Sequence, residues 1–240
     1  MRRAPTKTAA VVAFIALGIW LGFPTYKHRY RLTVEVEVDG TIRSGSSVIE
    51  TRWSLWPPVI AGLFNGGIGE VHVYGQAVFI DLGSRGALLA LLWPSSVTSL
   101  CGAVGTDFLA IRAFNAEAKL PCSGYALTWG VLHSMSWQTG KATLTADNLP
   151  GFIWLPVVDD EMSARPAAAK DFPALFGGAV RLRSVWIEMT SDPIASGLDK
   201  KIPWARGLYE RQRRGIISRP GQFYVDGRAL LGPGFLRSER

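Results

Sequence analysis

Histidine and cysteine are scarce in this 240-residue chain, with three and two copies respectively. That scarcity excludes several chemistries. Cys101 and Cys122 have no second Cys or His pair nearby, so they cannot form a closed zinc site. The H-E-x-x-H pattern is absent, which removes a zincin centre. G-x-S-x-G is absent as well, so no nucleophile elbow is marked. The glycine-rich residues 62–69 (GLFNGGIG) match neither the dinucleotide fingerprint nor a P-loop, and no Lys-Ser/Thr pair follows them. They read as a flexible connection, and no cofactor is expected.

Charge is missing from three long stretches. Residues 8–26 contain none. As a helix at ~1.5 Å per residue these nineteen positions span roughly 28 Å, close to a hydrocarbon core of about 30 Å. Trp20, Tyr26 and Tyr30 suit a lipid–water boundary, and Pro24 can stop the helix. A cleaved signal peptide competes with this reading, but the run ends Trp20-Leu21-Gly22-Phe23-Pro24, without the small residues that cleavage needs. The expectation is therefore a short tail, residues 1–7, followed by an uncleaved transmembrane anchor, residues 8–26, in contact with the bilayer. Arg2, Arg3 and Lys7 on one side balance Lys27, Arg29 and Arg31 on the other. Orientation then follows the usual export arrangement, with the body outside. The placement expected is the bacterial inner membrane, single-pass, with the body in the periplasm or outside the cell. In such an oxidising compartment Cys101 and Cys122 can form a disulfide, worth about 3 kcal/mol through loop closure; two buried thiols are the alternative.

The second and third uncharged stretches, residues 86–106 and 120–140, are not read as spans. Pro94, Ser95, Ser96, Thr98 and Ser99 interrupt the former with polar groups that lipid would penalise. A strand over residues 87–93 and a buried helix over 96–114 are expected instead. Residues 120–140 are expected to be core strands or a loop over the sheet.

The formal charge of +7 lies entirely in the last forty-one residues, which hold ten Lys/Arg against three acids. The expectation for residues 205–240 is a basic tail, either solvated or drawn to anionic lipid. Nucleic acid is not an expected partner of an exported body.

Elsewhere the chain is patterned for strands. Residues 30–38 (YRLTVEVEV) alternate strictly, and Asp39-Gly40 is a hairpin signal before a returning strand, residues 41–53. Gly45 marks a bulge or close approach. Residues 70–82 read as two strands or one strand bent around Gly75. Residues 142–146 and 152–158 are strand-like, and Asp159-Asp160-Glu161 opens a polar linker through Lys170. A helical turn over 171–176 is closed by Gly177-Gly178, and residues 180–189 form a further strand. There, Val180, Leu182 and Ser184 are expected on one face, with Arg181, Arg183 and Val185 on the other. The fold class expected is α+β, mainly β: an antiparallel sheet or sandwich-like body over residues 27–204, with a few short helices, behind one N-terminal transmembrane helix.

The runs RYRLTVEVEVDGTIRSGSSVIE (residues 29–50) and FGGAVRLRSVWIEMTSDPIASGLDKKIPW (residues 176–204) resemble sequences from an uncharacterised group of bacterial membrane-anchored proteins. The resemblance implies an anchored bacterial protein and carries no active site with it.

Few side chains are left for chemistry. His28 stands at the membrane edge. His72, in the alternating VHVYG, and His133, in a Trp-rich apolar stretch, read first as strand-face or core residues and only weakly as bases for a Ser–His–Asp arrangement. Asp159, Asp160 and Glu161 are weak candidates for a cation site, because neighbours on an extended chain point apart. The function expected is a non-enzymatic, membrane-tethered envelope domain that binds a partner or ligand. The alternative is an envelope hydrolase using His72 or His133.

Overall fold

A two-residue turn sets the register of the first sheet. Asp39 and Gly40 take φ of 49° and 79°, the pair of left-handed positions that a type I′ hairpin requires. From that turn β1 (Thr25–Val38) and β2 (Thr41–Leu55) pair without a slip, from Val38↔Thr41 out to Thr25↔Ser54. Period-two patterning puts Tyr30, Leu32, Val34, Val36 and Val38 in the core, all buried. The strand begins five residues before the expected start at Tyr30, so Thr25 and Tyr26 are strand and not the end of an anchor helix.

The structure is a computed structural model. It describes residues 25–55, 69–94, 107–114, 129–145 and 149–207, together with three short strands at 223–225, 228–230 and 237–238. No helix among the described residues is long and apolar enough to cross a membrane. The expected anchor lies outside them, apart from its last two positions.

β3 (Gly69–Gln76) adds to β2 antiparallel, and the chain then bends at Ala77 into β4 (Val78–Asp81). Gly75, at φ 149°, stands just before the bend. One continuous stretch thus leaves the first sheet and opens the second. That second sheet continues through β5 (Ala87–Pro94), β7 (Pro150–Leu155) and β8 (Arg165–Ala167), in the order β4-β5-β7-β8. β8 lies inside the segment expected to be a polar linker. Its Ala167 is buried although Arg165 and Pro166 are exposed, so the apolar signal within the strand amounts to one residue.

The first sheet is completed by β6 (Lys141–Thr143), β9 (Val180–Met189) and β12 (Arg237–Ser238), in the order β12-β3-β2-β1-β9-β6. The pairing of β12 with β3 brings part of the expected tail back onto the sheet. β10 (Phe223–Val225) and β11 (Arg228–Leu230) form a separate hairpin. The two main sheets face each other across one core, where Leu32, Val34, Ile49, Val78, Ile80, Leu88 and Phe152 meet. The described architecture is therefore β-rich, with two antiparallel sheets and few short helices.

The helices are α1 (Asp107–Phe114), α2 (Trp129–Trp137), α3 (Phe172–Leu175) and α4 (Leu198–Lys201). α1 is the described part of the helix expected over 96–114. α2 replaces the strands or loop expected over 120–140. It buries Leu132 and Met135, three positions apart on one face, and exposes His133, Ser134, Ser136 and Trp137. Gly177 and Gly178, at φ 62° and 79°, end α3 as expected. After α3, β9 carries a β-bulge opposite Glu35/Val36. The bulge pairs Val36 with Leu182 and Glu35 with Ser184, leaving Arg183 as the extra residue. Val185 and Ile187 thereby join Val180 and Leu182 on the core side. This corrects the simple alternation expected there.

Candidate ligand cleft

The strand β9 stops short of the start of β1. Its pairing with β1 ends at Tyr30↔Met189, after which the Thr190 N–H donates to the Arg29 carbonyl at 3.1 Å. Beyond that point residues 25–29 of β1 have β2 on one side and no described strand on the other. The chain after β9 is pulled away across the sheet. Arg29 Nη1 donates to the carbonyls of Ser191 (3.0 Å) and Asp192 (2.7 Å), and Arg31 pairs with the Asp192 carboxylate. Pro193 follows and carries no N–H with which to continue the ladder.

A cleft of about 420 Å³ opens at this gap. One wall is Lys27, His28 and Arg29 of β1, with Glu50 of β2. A second is the last turn of α2 and the residues after it, including Ser136 and Thr139. The third is the exit from β9, Met189 to Ser191. Its volume is in the range of small-molecule sites.

Two arginines hold the floor. Arg29 lies opposite Glu50 in the hairpin, and Arg52 is two positions on along β2, on the same face. Arg29 Nε donates to Glu50 Oε2 at 3.1 Å, while Arg52 Nε donates to Oε1 at 2.6 Å. The Glu50 side chain is only 1 % exposed. Burial pushes its carboxyl up, but the hydrogen bonds and charges of Arg29 and Arg52 outweigh that and leave it below the usual carboxylate range. Arg52 also stacks over the Tyr74 ring, 4.8 Å from its centroid. The carboxylate is thus saturated and fixed.

His28 points to the other side of β1, with the core residues, and is 4 % exposed. Neither ring nitrogen has a hydrogen-bond partner among the described residues, and the same holds for the hydroxyl of Thr51, directly opposite His28 on β2. Burial lowers the imidazole pKa from 6.5 to about 4, so the ring is neutral near pH 7. A buried polar group without a partner costs about 1–3 kcal/mol, which makes this pair the most expensive polar feature beside the cleft.

Comparison with family models, with curated proteins and with solved structures finds no match to this chain.

The residues singled out from sequence lie elsewhere. His72 is exposed on β3, opposite Arg52, with its ring 6.2 Å from that of Tyr74. His133 is exposed on α2 and sits edge-on to Tyr26 and Trp137, at 6.1 and 6.4 Å. The two are on different elements, and neither lines the cleft. Asp159 and Asp160 are exposed and Glu161 half-buried. Asp160 accepts from the Met162 N–H at 2.9 Å and so caps a turn. Among the described residues no group of three or more His, Cys, Asp or Glu is placed to hold a metal ion. Cys101 and Cys122 lie outside the described residues.

The residues that do converge are ones to which sequence reasoning gave no chemistry, Arg29, Glu50 and Arg52, with His28 on the opposite face of β1. One signal for them was present. Counting outward from Asp39-Gly40 pairs Arg29 with Glu50, and opposite charges at directly opposed positions mark a cross-strand pair.

Proposed function

We propose that the protein is a non-enzymatic binding module, tethered to the bacterial inner membrane through the apolar run that ends just before β1, with its body on the outer side. It receives its partner or ligand in the cleft at the start of β1. The observation that carries this reading is the cleft itself. It is concave, of ligand size and lined by fixed polar groups, and three of its wall residues are Lys27, His28 and Arg29. Lys27 is three residues from Pro24, and three residues of extended chain reach about 10 Å. A tether in residues 8–24 would therefore hold the cleft close to the bilayer surface. Those seventeen residues still meet the lower limit for a spanning helix, at roughly 25 Å.

The hydrolase reading draws no support from the geometry. His72 and His133 stand on different elements, and neither lines the cleft.

The test is cell fractionation of the full chain beside a variant lacking residues 8–23. The full chain is expected in the membrane fraction, resistant to alkaline extraction, with its body cut by protease only after the outer barrier of the cell is opened. The shortened variant is expected to lose membrane association. A full chain that stays in the soluble fraction, or whose body is reached only after the inner membrane is breached, would overturn the tether or its orientation respectively.

A further inference from the structure

The outer side of α2 is ill suited to water. A helix on a solvated surface carries charged or strongly polar residues on that side. Residues 129–137, WGVLHSMSW, include no charged residue. Leu132 and Met135 are buried, which leaves His133, Ser134, Ser136 and Trp137 outside. Trp137 is 76 % exposed, more than any other large apolar side chain among the described residues. The two serines ask little of solvent. Ser134 Oγ donates to the Val131 carbonyl at 2.8 Å and Ser136 Oγ to the Leu132 carbonyl at 3.2 Å, so both hydroxyl protons are spent on the helix itself.

The place of this face in the fold says what covers it. The Trp137 ring meets His133 edge-on at 6.4 Å, and His133 meets Tyr26 edge-on at 6.1 Å. Tyr26 is half-buried and stands two residues after Pro24, near the end of the uncharged run. Two residues of extended chain reach about 7 Å. The polar layer on each side of a bilayer is about 5–8 Å deep. A run that spans the bilayer therefore delivers Tyr26 to this layer, with Trp137 two ring contacts away. Tyrosine and tryptophan rings are at their most favourable there, apolar body toward the lipid and polar tip toward water.

We propose that the exposed side of α2, led by Trp137 with His133 and Tyr26 beside it, docks onto the headgroup layer of the bilayer that holds the tether. The partner is a lipid surface, recognised by the seating of amphipathic rings and not by one particular headgroup. The inference rests on the tether proposed above and adds a second contact to it. A single span leaves the body free to swivel; a second point of contact fixes which side faces the membrane. Ser136 and Gln138 line the cleft as well, so docking sets the cleft beside the lipid surface.

The experiment uses the full chain, with its tryptophans replaced by 5-fluorotryptophan, in phosphatidylcholine bicelles. Fluorine NMR gives each tryptophan its own resonance. That of Trp137 is identified by its loss in Trp137→Phe, and that of Trp154 by its loss in Trp154→Phe. Trp154 is the distant reference. Its Nε1 donates to the Arg85 carbonyl, and Arg85 pairs with Asp39, separated from Tyr26 by roughly 40 Å of strand. Lipid carrying a nitroxide on its headgroup is then added. The Trp137 resonance is expected to lose most of its height and that of Trp154 to keep it. A Trp137 resonance that survives the nitroxide lipid would overturn the docking. A water-soluble relaxation agent then tells whether solvent covers the ring or a second protein surface, such as another copy of the chain, does. Flotation of the same chain with phosphatidylcholine vesicles separates the two failures. A chain that does not float brings down the tether and the docking together, whereas a chain that floats with Trp137 untouched by the nitroxide loses the docking alone.

Discussion

His28 gives the protein a pH-dependent weakness. Its folded pKa of about 4 lies below the unfolded value of 6.5, so the unfolded chain binds the proton more readily. The contribution to stability is therefore complete above pH 6.5 and is lost as pH falls toward 4. A shift of this size is worth about 3 kcal/mol. Glu50 acts lower on the scale. Its depressed carboxyl contributes above the usual carboxylate pKa and loses that contribution as pH falls through its folded value. The expected outcome is that urea unfolding loses about 2–3 kcal/mol between pH 7 and pH 4 in the natural chain and distinctly less in His28→Phe. Parallel pH profiles for the two would show that the ring is not held neutral. Neither residue stood out in the sequence. A lone histidine at the end of an apolar run carries no pattern from which its burial could be read.

At the scale of elements, legibility followed the strength of local chemistry. The β1–β2 hairpin was readable because turn residues and period-two burial agree. The β9 strand was readable in extent but not in phase, because a bulge leaves no mark on composition. α2 was missed because its stretch is apolar on most sides and uncharged, so helical period has nothing to contrast with. The cleft was illegible for a related reason: it is made where β9 ends, and no motif encodes an edge. Gly45 is the case where a single residue reported long-range geometry. A Cβ there would lie 2.3 Å from the Phe79 carbonyl oxygen and 3.0 Å from the Ile80 and Val78 side chains. β4 crosses β2 at this point, where the strand β3–β4 changes sheets. Gly140 provides the control. It has φ 92° but nothing within 4 Å of an added Cβ, so a substitution there meets only backbone strain of about 1 kcal/mol. Gly45→Ala must instead push a strand backbone aside, which costs more, on the order of 1–3 kcal/mol or above. Thermal unfolding should therefore drop further for Gly45→Ala than for Gly140→Ala, by several degrees. Equal losses would mean that the two sheets do not approach as closely at Gly45 as described.

At the scale of the molecule, residues 190–205 tie the two sheets together. The segment starts at the cleft, where Arg29 and Arg31 hold Asp192. It then crosses the outer face of the first sheet, with the Ala195 N–H on the Val48 carbonyl at 3.1 Å. The Leu198 N–H reaches the buried Gln76 Oε1 at 2.8 Å, where the strand β3–β4 leaves for the second sheet. Leu198 and Ile202 next cover the outward side of that sheet, packing with Leu89, Leu91, Ile153 and Leu155. Trp204 finishes the strap by donating to the Val158 carbonyl at 2.8 Å. Magnitude decides whether such a strap can open alone. Lifting it would return several large apolar side chains toward water at about 1.5–3 kcal/mol each. The total is on the order of 10 kcal/mol, comparable with the roughly 5–15 kcal/mol that holds a whole domain. The strap should therefore unfold with the sandwich and not before it. Hydrogen exchange checks this directly. The Leu198 amide is expected to exchange as slowly as those of Leu32 and Val34, and Ile202→Ala, losing about 2–4 kcal/mol, should speed all three together. Were Leu198 to exchange much faster than the β1 amides, or to be the only one of the three accelerated by the substitution, the strap would be a separate unit. The cleft wall at Ser191 would then move without the rest of the fold.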